Sequence, residues 1–141
     1  MAFLRAESLL ILVAAVAVLL CIPPVLADDM SGLPTLQQES GITFITGGIG
    51  DEERDALKAV EHDYNLHVMS AGTSGAFTGD TIIAIRTRRG EELLSTDAGP
   101  IFYASLPPGH YVVEATSDGQ TRKQDITIAR GTTSHVHFSW K

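Results

Sequence analysis

The stretch that decides the fold is residues 96–115, TDAGPIFYASLPPGHYVVEA. It contains two short runs rich in aromatic and β-branched residues, and apolar residues recur at every second position in each run. A period of two places those side chains on one face of a strand. We therefore predict two strands joined by a Leu-Pro-Pro-Gly turn, with Phe102, Leu106 and Tyr111 in a core. Gly109 is predicted to be structural, with a backbone angle that a β-carbon would disfavour.

The same pattern extends over the rest of the chain from Tyr64 to Lys141. Apolar and polar residues alternate there, and turns containing Gly or Pro arrive about every ten residues, a spacing typical of all-β domains. In the last run, Val136, Phe138 and Trp140 share one face. We predict a mainly β protein in which about seven short strands of residues 64–141 form an immunoglobulin-like sandwich.

The residues before the sandwich predict a smaller unit. Residues 41–46 form a β-branched run that indicates a strand, and residues 51–63 indicate a helix with Asp51 as its N-cap. The apolar face of this helix, which includes Leu57, is narrow, so the helix should pack against something larger. We assign a strand-helix annex to residues 41–63 and a flexible leader to residues 28–40, which lack any periodicity.

Residues 1–27 resemble a secretory signal peptide. An apolar run follows Arg5 and ends at Pro23, and small side chains suited to signal peptidase precede a cleavage site between Ala27 and Asp28. The alternative is a retained membrane anchor, but a spanning helix needs about 20 apolar residues and this run is shorter. We therefore expect a periplasmic or secreted protein whose mature form does not span the membrane.

The net charge of the chain argues against two classes of partner. The chain has 17 acidic and 10 basic residues and a net charge of −7. A negative surface repels nucleic acid and anionic lipid, so neither is expected as a partner.

The single cysteine, Cys21, lies in the predicted signal peptide. The mature chain therefore has no disulfide, and its stability depends on burial of apolar residues.

The segment from about residue 79 to 128 resembles the carboxypeptidase regulatory-like domain, a transthyretin-like sandwich. The matching residues are Thr96, Asp97, Gly99, Phe102, Leu106, Gly109, Tyr111, Ala115 and Gly119. From Gly41 onward the chain is similar to small exported bacterial proteins with this domain, which carry Gly-Gly-x-Gly, an acidic helix and Tyr-Asn-Leu before the sandwich. The resemblance implies a fold but no activity or cofactor, because this module occurs in many unrelated proteins.

His135 and His137 are the candidate metal ligands. Residues two apart on a strand project from the same face, and their apolar neighbours should face inward, so both imidazoles should point outward. Two imidazoles can bind zinc or copper, but a stable site usually needs a third or fourth ligand. His67 would be within reach if the first and last strands of the sandwich are neighbours.

Enzyme signatures are weak. The loop from Gly48 to Glu53 is similar to a dinucleotide-binding loop, but Glu53 stands where a third glycine is required. The serine in the sequence GTSG at residues 72–75 does not form a nucleophile elbow, which needs Gly-x-Ser-x-Gly. Hydrolases with the transthyretin-like fold close with Tyr-Arg-Gly-Ser, and this chain does not. We expect no catalytic residues and no cofactor.

A basic patch provides the remaining candidate surface, formed by Arg86, Arg88, Arg89, Arg122 and Lys123. Such a patch is either a solvated hairpin end or a contact for an acidic partner. We interpret the protein as an exported non-catalytic binding or structural module, whose partner is a protein or polysaccharide of the cell envelope. The alternatives are a periplasmic metal-binding protein that uses His135 and His137, and a small hydrolase.

Overall fold

The computed structural model describes residues 32–72 and 80–141. The predicted signal peptide, with its cleavage site between Ala27 and Asp28, lies outside the described residues. None of the helices in the described ranges is long and apolar enough to cross a membrane.

Nine strands and one α-helix make up the described part of the chain. The strands are β1 Gln37–Glu39, β2 Ile42–Gly47, β3 Leu66–Gly72, β4 Thr81–Thr87, β5 Glu92–Ala98, β6 Ile101–Ser105, β7 Gly109–Ser117, β8 Gln120–Ile128 and β9 Ser134–Trp140. Helix α1, Asp51–Val60, is followed by a short 3-10 helix, Glu61–Asp63. Seven of the strands, β3 to β9, fall within residues 64–141, as the alternating pattern predicts.

The strands form two sheets that pack face to face. The first has the order β1-β2-β6-β3-β9 and the second has the order β5-β4-β7-β8. All neighbouring pairs are antiparallel except β3 and β9, which are parallel. The main core lies between the sheets and includes Phe44, Val68, Phe102, Val113 and Val136. The predicted mainly β sandwich is therefore confirmed.

The first two strands belong to the sandwich, which corrects the predicted domain boundaries. Residues 37–39, assigned from the sequence to a flexible leader, form strand β1 and pair with β2. Strand β2 was assigned to a separate annex, but it lies between β1 and β6 in the first sheet. Its residues Ile42 and Phe44 are buried in the main core. Burial of these two side chains explains why β2 joins the sheet.

Helix α1 covers the outer face of the first sheet over β2 and β6. Its buried residue Leu57 packs there with Ile45, Ile101 and Tyr103 in a second hydrophobic cluster. Ile101 and Tyr103 alternate with the core residue Phe102, so their side chains face away from the main core. Both are buried, since the helix shields them from solvent.

The start of α1 also differs from the prediction. The N-cap is Gly50, whose backbone is extended, and no side chain in the described part of the protein forms a capping hydrogen bond there. Asp51, predicted as the N-cap, is the first helical residue and forms an ion pair with Arg54 one turn later. Asp51, Glu52 and Glu53 lie in the first turn, where negative charge favours the helix dipole.

The Leu-Pro-Pro-Gly turn is fixed by side chains on both sides of it. The Tyr111 hydroxyl donates a hydrogen bond to the carbonyl of Pro107 at 2.7 Å. The side-chain amide of Asn65 donates to the carbonyl of Leu106 at 2.8 Å, and its oxygen accepts from the Leu106 N–H at 2.9 Å. Asn65 therefore joins the start of β3 to the end of β6 as a backbone pair would.

Candidate functional site

The outer face of the second sheet carries a row of charged side chains, here called the charged row, formed by Glu92, Arg86, Glu114 and Lys123 from four strands. The hairpin of β7 and β8 places Glu114 opposite Lys123, and β4 places Arg86 beside β7. Arg86 contacts Glu92 at 2.7 Å and Glu114 at 3.1 Å, and Lys123 contacts Glu114 at 3.1 Å. Glu114 thus accepts from two cations, one from each neighbouring strand.

Glu114 is the best shielded member of the charged row, with 14% of its side chain exposed. Burial by itself would raise the pKa of this carboxyl. Hydrogen bonds and charges from Lys123 and Arg86 outweigh burial and leave the pKa of Glu114 below its ordinary value. The carboxylate is therefore ionised at neutral pH and holds both cations in fixed positions.

Replacing Glu114 by glutamine should remove a pH-dependent contribution to stability. Because the pKa of Glu114 is lowered in the folded state, the contribution is fully present above the ordinary value of 4.5 and is lost as the pH falls through the folded value. At neutral pH we expect E114Q to lose less than about 1 kcal/mol of unfolding free energy for each solvent-facing ion pair that it removes. Denaturant unfolding of wild type and E114Q from pH 7 to pH 2 should show their difference in stability shrinking in acid.

The control for this comparison is Glu91→Gln, because Glu91 is exposed in the turn before β5 and forms no ion pair within the described residues. At pH 7 the stability of Glu91→Gln should match that of wild type, because the change removes none of the described ion pairs. A stability difference between E114Q and wild type that persists undiminished at pH 2 contradicts the assignment of Glu114.

An open cavity of about 820 Å³ lies beside the charged row. Its lining includes Arg86, Glu114 and Lys123, together with Arg88 and Asp125. Arg88 is exposed in the turn after β4, and neither it nor Arg89 forms an ion pair with any described residue. The outer face of the second sheet therefore combines fixed charges with cations that have no acidic partner among the described residues.

The predicted basic patch is divided between two faces. Arg122 pairs in register with Ala115, which points into the core, so its side chain lies on the inner side of the sheet. Its guanidinium lies 5.6 Å from the centre of the Trp140 ring, a cation–π contact. Lys123 is one residue later and points to the outer face. Consecutive residues of a strand project to opposite sides, so one surface cannot include both.

The predicted metal ligands His135 and His137 are exposed on β9, on the outer side of the first sheet. The condition for a third ligand is met, because β3 and β9 are neighbours and His67 lies directly opposite His135. His67, however, is only 9% exposed, and its Nε2 lies 2.7 Å from the carbonyl oxygen of Glu61. In the described residues, no group of three or more His, Cys, Asp or Glu side chains is arranged to hold a metal ion.

The His67 ring is held between two other rings. The centre of the Tyr103 ring is 4.5 Å away, and the centre of the His135 ring is 4.9 Å away in an edge-on arrangement. Burial raises the pKa of Tyr103, and the charge of Glu61 raises it further. The Tyr103 phenol is therefore protonated at neutral pH.

The glycine-rich loop before α1 is occupied by the chain itself. The N–H of Gly48 donates to the carboxylate of Glu53, and a β-carbon on Gly47 would overlap that carboxylate and Pro34. A nucleotide phosphate would need these N–H groups. Here the Gly48 N–H binds an acid of the helix itself, so the loop has a structural role.

The four residues predicted to be structural lie around one turn. Phe102, Leu106 and Tyr111 are buried in the main core. Gly109 begins β7 with a φ of 159°, close to fully extended backbone, and a β-carbon there would meet the Tyr111 ring at 3.5 Å, an ordinary contact. The proposed steric need for glycine at this position stays a prediction.

Two residues of the candidate surfaces, Glu114 and Met69, were not predicted from the sequence. The position of Glu114 could have been predicted, because a two-residue turn at Asp118 and Gly119 sets the register of β7 and β8. This register places Glu114 opposite Lys123. Met69 lies opposite His137 on β9. That pairing is parallel and joins distant segments, and no local signal indicates it.

The fold and these two surfaces define a small β-sandwich domain with a helix on one side. No protein-family model and no curated protein matches the chain. Among solved structures it is similar to the Bacillus anthracis TIE protein, with a TM-score of 0.41 and 18% identity, covering 54% of this chain and 15% of that chain. It is also similar to BcpA, the major pilin subunit of Bacillus cereus, with a TM-score of 0.34 and 19% identity, covering 52% of this chain and 27% of that chain. These likenesses concern the fold alone, and the chain spans well under half the length of either protein.

Proposed function

We propose that the protein is an exported, non-catalytic binding or structural module of the cell envelope, periplasmic or secreted after removal of residues 1–27. We further propose that its sandwich is a carboxypeptidase regulatory-like domain, on the residues that carry that resemblance. Its partner is a protein or polysaccharide of the envelope, and the outer face of the second sheet is the surface that contacts it. The observation that carries the proposal is the charged row beside the open cavity.

The charged row supports binding because its side chains are already ordered. Arg86 and Lys123 are held by Glu114, so little side-chain freedom is lost when a partner meets this face. Arg88 lines the cavity and the exposed Arg89 follows it in the same turn, and both add positive charge to a chain with a net charge of −7. An acidic partner that the rest of the surface repels is attracted here.

The test is capture of envelope material on the immobilised exported protein. We expect a partner to be retained, and we expect Arg88→Glu/Arg89→Glu to reduce its recovery about tenfold, the effect of losing roughly 1.4 kcal/mol of binding free energy. Both residues are exposed, so the variant should fold normally. Treating the captured material with protease or with glycosidases distinguishes a protein from a polysaccharide.

The matched control is Arg130→Glu/Lys141→Glu, which changes the net charge equally but lies away from the cavity. It should retain the partner as wild type does. Equal recovery by wild type and both variants contradicts the choice of this face, and failure of wild type to retain any envelope component contradicts the proposed function.

A further inference from the structure

Two short motifs lie side by side on the outer face of the first sheet. Strand β3 carries His67-Val68-Met69 and β9 carries His135-Val136-His137, and the two strands run parallel. The register pairs His67 with His135 and Met69 with His137. The intervening valines are buried in the main core, so the flanking side chains of both strands project to the opposite, outer face.

These side chains share a cavity. A cavity of about 320 Å³ is lined by His67, Met69, His135 and His137 together with Glu61, Tyr103 and Val136. Helix α1 packs over β2 and β6 and leaves β9 uncovered, so His135 and His137 remain exposed. Met69 is partly exposed. Its strand, β3, lies between β9 and the strand β6 that helix α1 covers. Three side chains able to ligate a soft metal therefore open on the same shallow cavity.

His67 has a different role from the other three residues. Its Nε2 lies 2.7 Å from the Glu61 carbonyl oxygen and 3.2 Å from the Tyr64 carbonyl oxygen, so this nitrogen donates to backbone oxygen and is not available to a metal. The His67 ring is only 9% exposed, which leaves little access to its other nitrogen. The His67 ring packs against His135 with ring centres 4.9 Å apart. We therefore count His135, His137 and Met69 as the ligand set and leave His67 out of it.

We propose that His135, His137 and Met69 form a binding site for Cu(I). Thioether sulfur is a soft ligand that selects Cu(I), and imidazole suits copper as well. Zinc in proteins is held by thiolate, imidazole and carboxylate, and the described residues provide no set of three such groups here. The site is therefore selective for Cu(I) over zinc. It lies on the first sheet, whereas the proposed partner surface lies on the second, so either proposal can fail without the other.

The test is a titration of the exported protein with Cu(I) in competition with the chelator bicinchoninate, without oxygen and at neutral pH. The expressed chain carries Cys21→Ser, so that any molecule that retains the predicted signal peptide adds no thiol. We expect one equivalent of Cu(I) to bind and zinc to bind no better to wild type than to His135→Ala/His137→Ala. That double variant should lose stoichiometric Cu(I) binding.

Met69→Leu tests the thioether separately from the imidazoles. Loss of even an outer-shell partner lowers metal affinity roughly 10–100-fold, so loss of the sulfur ligand should weaken Cu(I) binding at least about tenfold. X-ray absorption at the copper edge should show a sulfur neighbour in wild type and none in Met69→Leu. Matched controls are Met30→Leu, and His62→Ala/His110→Ala, whose histidines are exposed elsewhere and contact Asp63 and Thr127.

The outcomes separate clearly. Stoichiometric Cu(I) binding that both control variants retain, that His135→Ala/His137→Ala loses and that Met69→Leu weakens at least about tenfold supports the site. Binding that Met69→Leu leaves unchanged, or a copper edge without a sulfur neighbour, overturns the assigned ligand set. No Cu(I) binding by wild type that is folded by circular dichroism overturns the site altogether.

Discussion

Replacing Phe102 by alanine is expected to lower the free energy of unfolding by about 3–5 kcal/mol, the range for removal of a buried aromatic side chain. Phe102 is 1% exposed and lies on β6, between β2 and β3 at the centre of the first sheet. Its ring stacks on Phe44 with centres 5.6 Å apart. Truncation removes this contact and leaves a cavity that rigid neighbouring strands cannot fill.

The measurement is equilibrium unfolding in urea, and the control is Ile82→Ala on β4. Ile82 is 46% exposed on the outer face of the second sheet, so its truncation should change stability by about 0.5 kcal/mol or less. If Phe102→Ala unfolds at the same midpoint as Ile82→Ala, then Phe102 does not occupy the core.

The position of Phe102 is among the features that the sequence predicts well. A period of two over residues 96–115 depends only on local geometry, and it places Phe102, Leu106 and Tyr111 on one face regardless of how the sheets pack. The same reasoning predicts seven strands in residues 64–141, as the structure has them. Local alternation identifies strands because one face of each strand must be buried.

Features that depend on which elements pack together were harder to predict. Ile101 and Tyr103 alternate with Phe102, and their burial follows from α1 lying over β6. A single period cannot show that both faces of a strand are covered. In the same way, β2 joins the first sheet through pairing with β6, a segment more than fifty residues away.

In the two candidate surfaces, some features follow from alternation along one strand and others depend on pairing between distant segments. The outward direction of His135 and His137 follows from alternation alone, and the structure has both exposed. The separation of Arg122 from Lys123 follows from alternation too, and the predicted basic patch was wrong in combining them. Met69 joins His137 only through the parallel pairing of β3 and β9. Parallel strands are connected by long crossovers, so no turn sets their register in the sequence.

Replacing Gly99 by alanine is expected to destabilise the protein by about 2–3 kcal/mol, in the upper part of the range for overpacking. A β-carbon at Gly99 would lie 2.6 Å from the carbonyl oxygen of Gly47 and 2.9 Å from its Cα. These are backbone atoms at the end of β2, so they cannot rotate away as a side chain would. The Gly99 N–H also donates to the Thr46 hydroxyl at 2.9 Å, which in turn donates to the Ile101 carbonyl at 2.8 Å.

The clash at Gly99 would separate the turn before β6 from the end of β2 and break both hydrogen bonds of Thr46. Gly50→Ala is the matched control, because a β-carbon at Gly50 meets no atom of the described residues within 4 Å. Gly50→Ala should lose no more than about 1 kcal/mol of unfolding free energy, the usual cost of an alanine at a helix N-cap. Thermal and urea unfolding of the two variants should therefore rank Gly99→Ala well below Gly50→Ala. Equal stability of the two would mean that β2 and the turn move apart without cost, and that the close approach of Gly47 and Gly99 does not hold the two segments together.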